Sequence, residues 1–204
     1  ELSFVVYARE GLVELIPDAQ GRLHSFPSQA LTLRIPLAGL PSEPQSGVLT
    51  VGSSRYLLSL NSSRTYLETT FIPGTYVENA RMDVDLVLSG GRRRSGNRMV
   101  RLDGFGTIYE QTLLARNETT IEGAEIRLFR QQSGVWTLAD GAQLGLSNPV
   151  MTDRGGSYGY LVPNGWYQVR VKKEGYRETV QEIAVRNNIL NTHIGLKKEL
   201  KAVS

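Results

Sequence analysis

The chain contains no cysteine. Disulfide frameworks, thiol nucleophiles and thiolate-held metals are therefore excluded, and the absence fits many exported bacterial proteins. Only two histidines occur, His24 and His193. His24 sits in a turn-like segment before Pro27. His193 adjoins the apolar Ile194 and alternates outward. No H-x-x-x-H or E-x-x-H pair and no calcium loop of the D-x-D-x-D-G type is present, so no metal and no cofactor is expected. No apolar run approaches the roughly 20 residues that span a bilayer. No stretch offers three turns of amphipathic helix, and residues 77–81 have room for one short turn at most. Lysine is missing everywhere before Lys172, so the chain up to that point carries only arginine as a strong base. Glu1 opens the chain and no signal peptide is visible, so a mature, processed or excised product is expected.

What is present is a period of two. Leu31, Leu33, Ile35 and Leu37 alternate before the breakers Pro41 and Pro44. Val48–Val51, Arg55–Leu60 and Tyr66–Ile72 follow, and Met82, Val84, Leu86 and Leu88 alternate with Asp83, Asp85, Val87 and Ser89. Each run has strand length and ends at Gly, Pro, Asn or Ser. Many short strands at this spacing predict an all-β chain of two tandem antiparallel β-sandwich domains, residues 1–104 and 105–204. A length of 204 residues suits one large or two small domains. The balance of 23 Lys plus Arg against 20 Asp plus Glu is too even to imply a nucleic-acid partner.

The densest pattern is Thr152–Tyr176. Tyr158, Tyr160 and Val162 alternate on one strand, and Tyr167, Val169 and Val171 on a second. Pro163-Asn164-Gly165 supplies a tight turn between them. With Thr152, Asp153, Gly156, Gly175 and Tyr176, this segment resembles the carboxypeptidase-regulatory-like domain, a prealbumin-like sandwich related to collagen-adhesin B-type repeats. Gly106-Thr107-Ile108, Gly123–Leu128 and Leu190–Leu196 meet the family's other strands, so the resemblance covers residues ~106–197. It implies an Ig-like or prealbumin-like fold and a non-catalytic accessory role on a secreted or surface protein; fold alone does not fix function. The related adhesins crosslink a first-strand Lys to a last-strand Asn. Gly106–Arg130 holds no lysine, so that crosslink is excluded and Asn191 has no partner amine.

Gly155–Gly159 matches the nucleophile-elbow spacing G-x-S-x-G, but the pattern needs a strand–turn–helix and a histidine. Here the serine enters another strand, and no enzyme is expected. The strongest charge feature is Gly90–Arg98, read as a hairpin tip carrying Arg92, Arg93, Arg94 and Arg98. Guanidinium forks grip carboxylates and phosphates; a solvated, aggregation-limiting loop is the plainer reading. Trp136 and Trp166 are the two tryptophans. Alternation places Trp166 on the outer face beside Tyr167, free to stack on a sugar ring or to pack at a core edge. Leu2–Tyr7 reads as an ordinary first strand, with docking on a neighbour's sheet edge as the alternative. The expected function is a non-catalytic structural or adhesive module of an exported, extracellular or cell-surface bacterial protein, such as a filament or stalk subunit. The alternative is a carbohydrate-binding accessory of a secreted enzyme. Expected partners are other proteins, or an anionic or neutral glycan.

Overall fold

A computed structural model describes residues 2–75, 78–112 and 119–200. The chain divides into two compact units, Glu1–Asp103 and Gly104–Ser204. Strand dominates both, with short sheets stacked as β-sandwiches.

The first unit holds β1 (Val5–Ala8), β2 (Val13–Glu14), β3 (Leu23–Ser25), β4 (Leu31–Pro36), β5 (Pro44–Val51), β6 (Ser54–Leu57), β7 (Ser59–Leu60), β8 (Tyr66–Phe71), β9 (Asn79–Leu88) and β10 (Arg93–Leu102). They form two five-stranded sheets, β2-β1-β4-β8-β7 and β3-β10-β9-β5-β6. Period two explains the packing. In β9, Ala80, Met82, Val84, Leu86 and Leu88 are buried while the intervening residues reach the surface. Leu31, Leu33 and Ile35 of β4 are buried in the other sheet. Each such side chain larger than alanine contributes about 1.5–3 kcal/mol by leaving water.

The sequence reading differs from the structure at several places. Of residues 77–81, which had room for one short turn at most, Asn79–Arg81 belong to β9, and residue 77 lies outside the described residues. The Arg55–Leu60 run is two strands: β6 pairs with β5 in one sheet and β7 with β8 in the other, with Leu58 between them. Not every pair is antiparallel, because β3 runs parallel to β10. β1 pairs with β4, and Leu2, Phe4 and Val6 are buried, so the first strand is placed in its own unit's sheet.

The second unit holds β11 (Gly106–Glu110), β12 (Glu125–Gln132), β13 (Val135–Leu138), the single-turn α1 (Gly141–Leu144), β14 (Val150–Met151), β15 (Ser157–Tyr158), β16 (Tyr160–Leu161), β17 (Gly165–Lys172), β18 (Thr179–Val185), β19 (Ile189–Leu190) and β20 (Ile194–Leu196). One sheet is β13-β12-β17-β18, with β14 also on β12. The strands that oppose it form two pieces, β15-β11-β20 and β16-β19, and β11 and β20 run parallel. Of the elaborated connection expected at Glu110–Thr120, residues 113–118 lie outside the described residues. Asp140 caps α1, accepting from the backbone N–H of Ala142 at 2.9 Å and of Gln143 at 3.3 Å.

Thr152–Tyr176 is not the hairpin its turn suggests. β16 pairs with β19, and β17 with β12 and β18, so Pro163-Asn164-Gly165 carries the chain from one sheet to the other. Tyr158, Tyr160 and Val162 therefore meet Tyr167, Val169 and Val171 across the core rather than along a shared sheet. The arch is tied by hydrogen bonds. Tyr167 Oη donates to Pro163 O at 2.7 Å, and Asn164 Oδ1 accepts from Asn188 N at 2.9 Å. Asn188 Nδ2 donates to Val162 O at 2.9 Å.

Candidate contact surfaces

The core-facing residues of the second unit's main sheet are fixed by register. Ile126 and Leu128 of β12 and Tyr167, Val169 and Val171 of β17 are fully buried. Their neighbours in sequence must point the other way. Both tryptophans fall on that outer face. Trp136 of β13 is paired with Gln131 of β12. Arg130 pairs with Tyr167, so continuing the register brings Trp166 of β17 to the far side of Gln131. Two strand spacings separate the tryptophan backbones, about 10 Å. Trp166 is 53% exposed and Trp136 is half-buried.

The next row along the same face is also apolar. Leu138 of β13 pairs with Phe129 of β12, which pairs with Gln168 of β17. Arg170 lies over the Phe129 ring at 3.9 Å, and its Nε donates to Gln168 Oε1 at 2.7 Å. This stack covers Gln168, which is buried although it faces outward. The face ends in ion pairs, Arg127–Glu125 at 2.8 Å and Lys172–Glu178 at 3.6 Å. A patch of rings with hydrogen-bonding groups between them results.

The arginines of the first unit do not form one cluster. The turn between β9 and β10 is Ser89–Gly91, and Arg93–Arg98 already belong to β10. Alternation then splits them. Arg93 pairs with Val87 on the solvent face, while Arg94 and Arg98 share the side of buried Gly96. Arg94 lines a cleft of about 460 Å³ with Leu2, Pro36, Leu40 and Pro41. Arg98 lies over Phe4 at 5.5 Å. Arg92, Arg93 and Arg94 are exposed.

His24 is the position that pattern reading missed. It lies in β3 and is only 6% exposed. Its Nε2 is 2.9 Å from Asp18 Oδ2 and its Nδ1 2.7 Å from Asp103 Oδ2. Asp18 also accepts from the backbone N–H of Gln20 and Arg22, and from Arg22 Nε, each at 2.9 Å. Burial works to raise the Asp18 pKa, but the bonds from His24, Arg22 and Gln20 outweigh it and hold the group well below the usual carboxylate range. Arg101 lies 3.5 Å from Asp103. The cluster ties the 18–22 loop to the end of β10, and it contains no nucleophile; Ser25 Oγ donates to Phe26 O instead. His193, in the other unit, is exposed. The spacing of Asp18, His24 and Asp103 along the chain offers no signal for their meeting.

Ser157 of the G-x-S-x-G stretch enters β15 and is held by Asp153, whose Oδ1 accepts from Ser157 N at 2.9 Å. Asn191 donates to Gly104 O at 2.8 Å. Among the described residues, no group of three or more His, Cys, Asp or Glu suits a metal ion.

Comparison with known proteins gives a partial match. The PEGA domain family matches residues 139–200. No curated protein matches the chain. Among solved structures, the major pilin subunit BcpA of Bacillus cereus is 12% identical with a TM-score of 0.26, over 97% of this chain and 70% of that one. The pilus adhesin RrgA of Streptococcus pneumoniae is 12% identical with a TM-score of 0.32, over 87% of this chain and 33% of that one.

Proposed function

We propose that the chain is a non-catalytic structural or adhesive module of an exported or cell-surface protein, acting through surface contacts as part of a filament or stalk. On this reading residues 106–197 are a carboxypeptidase-regulatory-like module, and the two units are successive domains. One observation carries the reading: the sheet β13-β12-β17-β18 turns an aromatic outer face to solvent and ends on a long strand. Surfaces of this kind serve recognition or assembly. Light scattering on a sizing column, with electron microscopy of the same sample, tests it. Ordered polymers support the reading, and a protein that stays monomeric and binds no surface component contradicts it.

A second reading is favoured by the tryptophan row: a carbohydrate-binding accessory of a secreted enzyme. Two tryptophans on one sheet face, their backbones about 10 Å apart, suit stacking on alternate sugar rings of an extended chain. Saturable quenching or shift of tryptophan fluorescence by a polysaccharide, lost in Trp166→Ala, is the expected result. An unchanged spectrum across neutral and acidic polysaccharides counts against it.

A further inference from the structure

Every sheet ends somewhere, and most ends here are short. The terminal strands β2, β7, β15, β16 and β19 have two residues each, β3 and β20 three, and β6 and β13 four. Short edges offer little backbone to a partner. β18 is different: it has seven residues, TVQEIAV, at the end of its sheet. Its register with β17 runs without a shift from Gly165↔Val185 to Val171↔Thr179. It carries no proline, glycine or lysine. Among the described residues, no backbone group of Thr179–Val185 bonds on the side away from β17. Of the devices that blunt an edge, this one carries a single charge, the exposed Glu182 at its centre.

We infer that the free edge of β18 docks the β18 edge of a second copy of this chain, antiparallel and about a two-fold axis, joining two sheets into one. The inference rests on the assembly reading above and names its contact. The charges at the ends of the strand are self-complementary. On the outer face exposed Glu178, 3.6 Å from Lys172, precedes β18 and exposed Arg186 follows it, while exposed Arg177 takes the opposite parity. Antiparallel pairing sets the acidic end of one copy toward the basic end of the other, whereas parallel pairing aligns like with like. A two-fold axis also keeps each face continuous, because every residue pairs with one of its own parity. Val180 and Ala184 then extend the apolar outer face across the joint, and Val180 is 50% exposed in one copy. Centring the axis on Glu182 opposes two carboxylates. Centring it on Gln181 or Ile183 avoids this and sets Glu178 of one copy diagonal to Arg186 of the other, two residues from direct register and still within reach of long side chains.

The absence of native cysteine makes the test clean. Gln181→Cys and Ile183→Cys are made singly in the full chain and mildly oxidised, with and without Val180→Lys/Ala184→Lys. The lysines sit on the solvent face of the edge, and circular dichroism checks that the fold is kept. The expected result is a disulfide dimer from one of the two cysteine variants, with the lysine pair cutting its yield more than about tenfold. A monomeric product from both variants overturns the inference, as does crosslinking that the lysines leave unchanged. Sedimentation of the cysteine-free protein separates this contact from the wider reading. Polymers that persist with the lysines present overturn the edge contact and leave assembly standing. Association that stops at the dimer upholds the edge contact and removes the filament.

Discussion

At the residue scale, the structure invests most in buried polar side chains that hold irregular backbone. His24, Asp18 and Asp103 form one such tie, and Thr152 another. Thr152 Oγ1 donates to Ile121 O at 2.6 Å and accepts from Ala124 N at 2.9 Å, both buried. Such groups cost more to break than to omit, because the partner left behind is desolvated and unpaired. Replacing His24 by Gln is expected to destabilise the first unit by about 2–4 kcal/mol. The depressed Asp18 pKa adds a pH dependence. A carboxylate with a lower pKa folded than unfolded stabilises above its unfolded pKa, about 3.9, and the gain disappears as pH falls through the folded value. Denaturant titrations from neutral to acid pH should show stability falling below about pH 4, with a shallower fall in Asp18→Asn. Equal acid slopes in the two proteins contradict this role. None of this cluster was legible in the sequence, since its members are brought together only by the parallel pairing of β3 with β10.

At the element scale, the strands were legible and their partners were not. The alternating residues read in the second unit, Tyr158, Tyr160, Val162, Tyr167, Val169 and Val171, are all buried. Period two reports which face a residue takes, whatever strand lies beside it. It does not report pairing, so an arch between sheets read as a hairpin and one run divided between two sheets read as one strand. The arginine segment failed for the same reason: Arg92–Arg98 is contiguous in sequence but split by alternation across β10. Turns were better marked. Gly156 has φ +64, and a Cβ there would run into the carbonyl oxygen of Ile108, whose own N–H donates to Gly156 O at 2.8 Å. Backbone stands on both sides of that contact, so no side chain can yield. Gly156→Ala is expected to cost more than about 3 kcal/mol, combining a left-handed backbone with overpacking against β11. A thermal midpoint within a degree or two of the parent would show that the turn relaxes freely.

At the scale of the whole molecule, the chain spends its length on cores, arches and turns, and what is left over is surface. The outer face of β13-β12-β17-β18 combines exposed Trp166, half-buried Trp136 and the Arg170–Phe129 stack, and β18 closes that sheet with a seven-residue edge. Tryptophan alternation was readable from residue order, but the meeting of Trp136 and Trp166 on one face depends on β13 and β17 flanking β12. The central claim is that this protein works by being touched rather than by transforming a substrate. Sedimentation velocity over a wide concentration range, with negative-stain images of the fastest species, tests it most directly. The account predicts concentration-dependent association into particles of regular repeat. A single species of monomer mass at every concentration, with no ordered particles on the grid and no polysaccharide or other surface component bound, contradicts it.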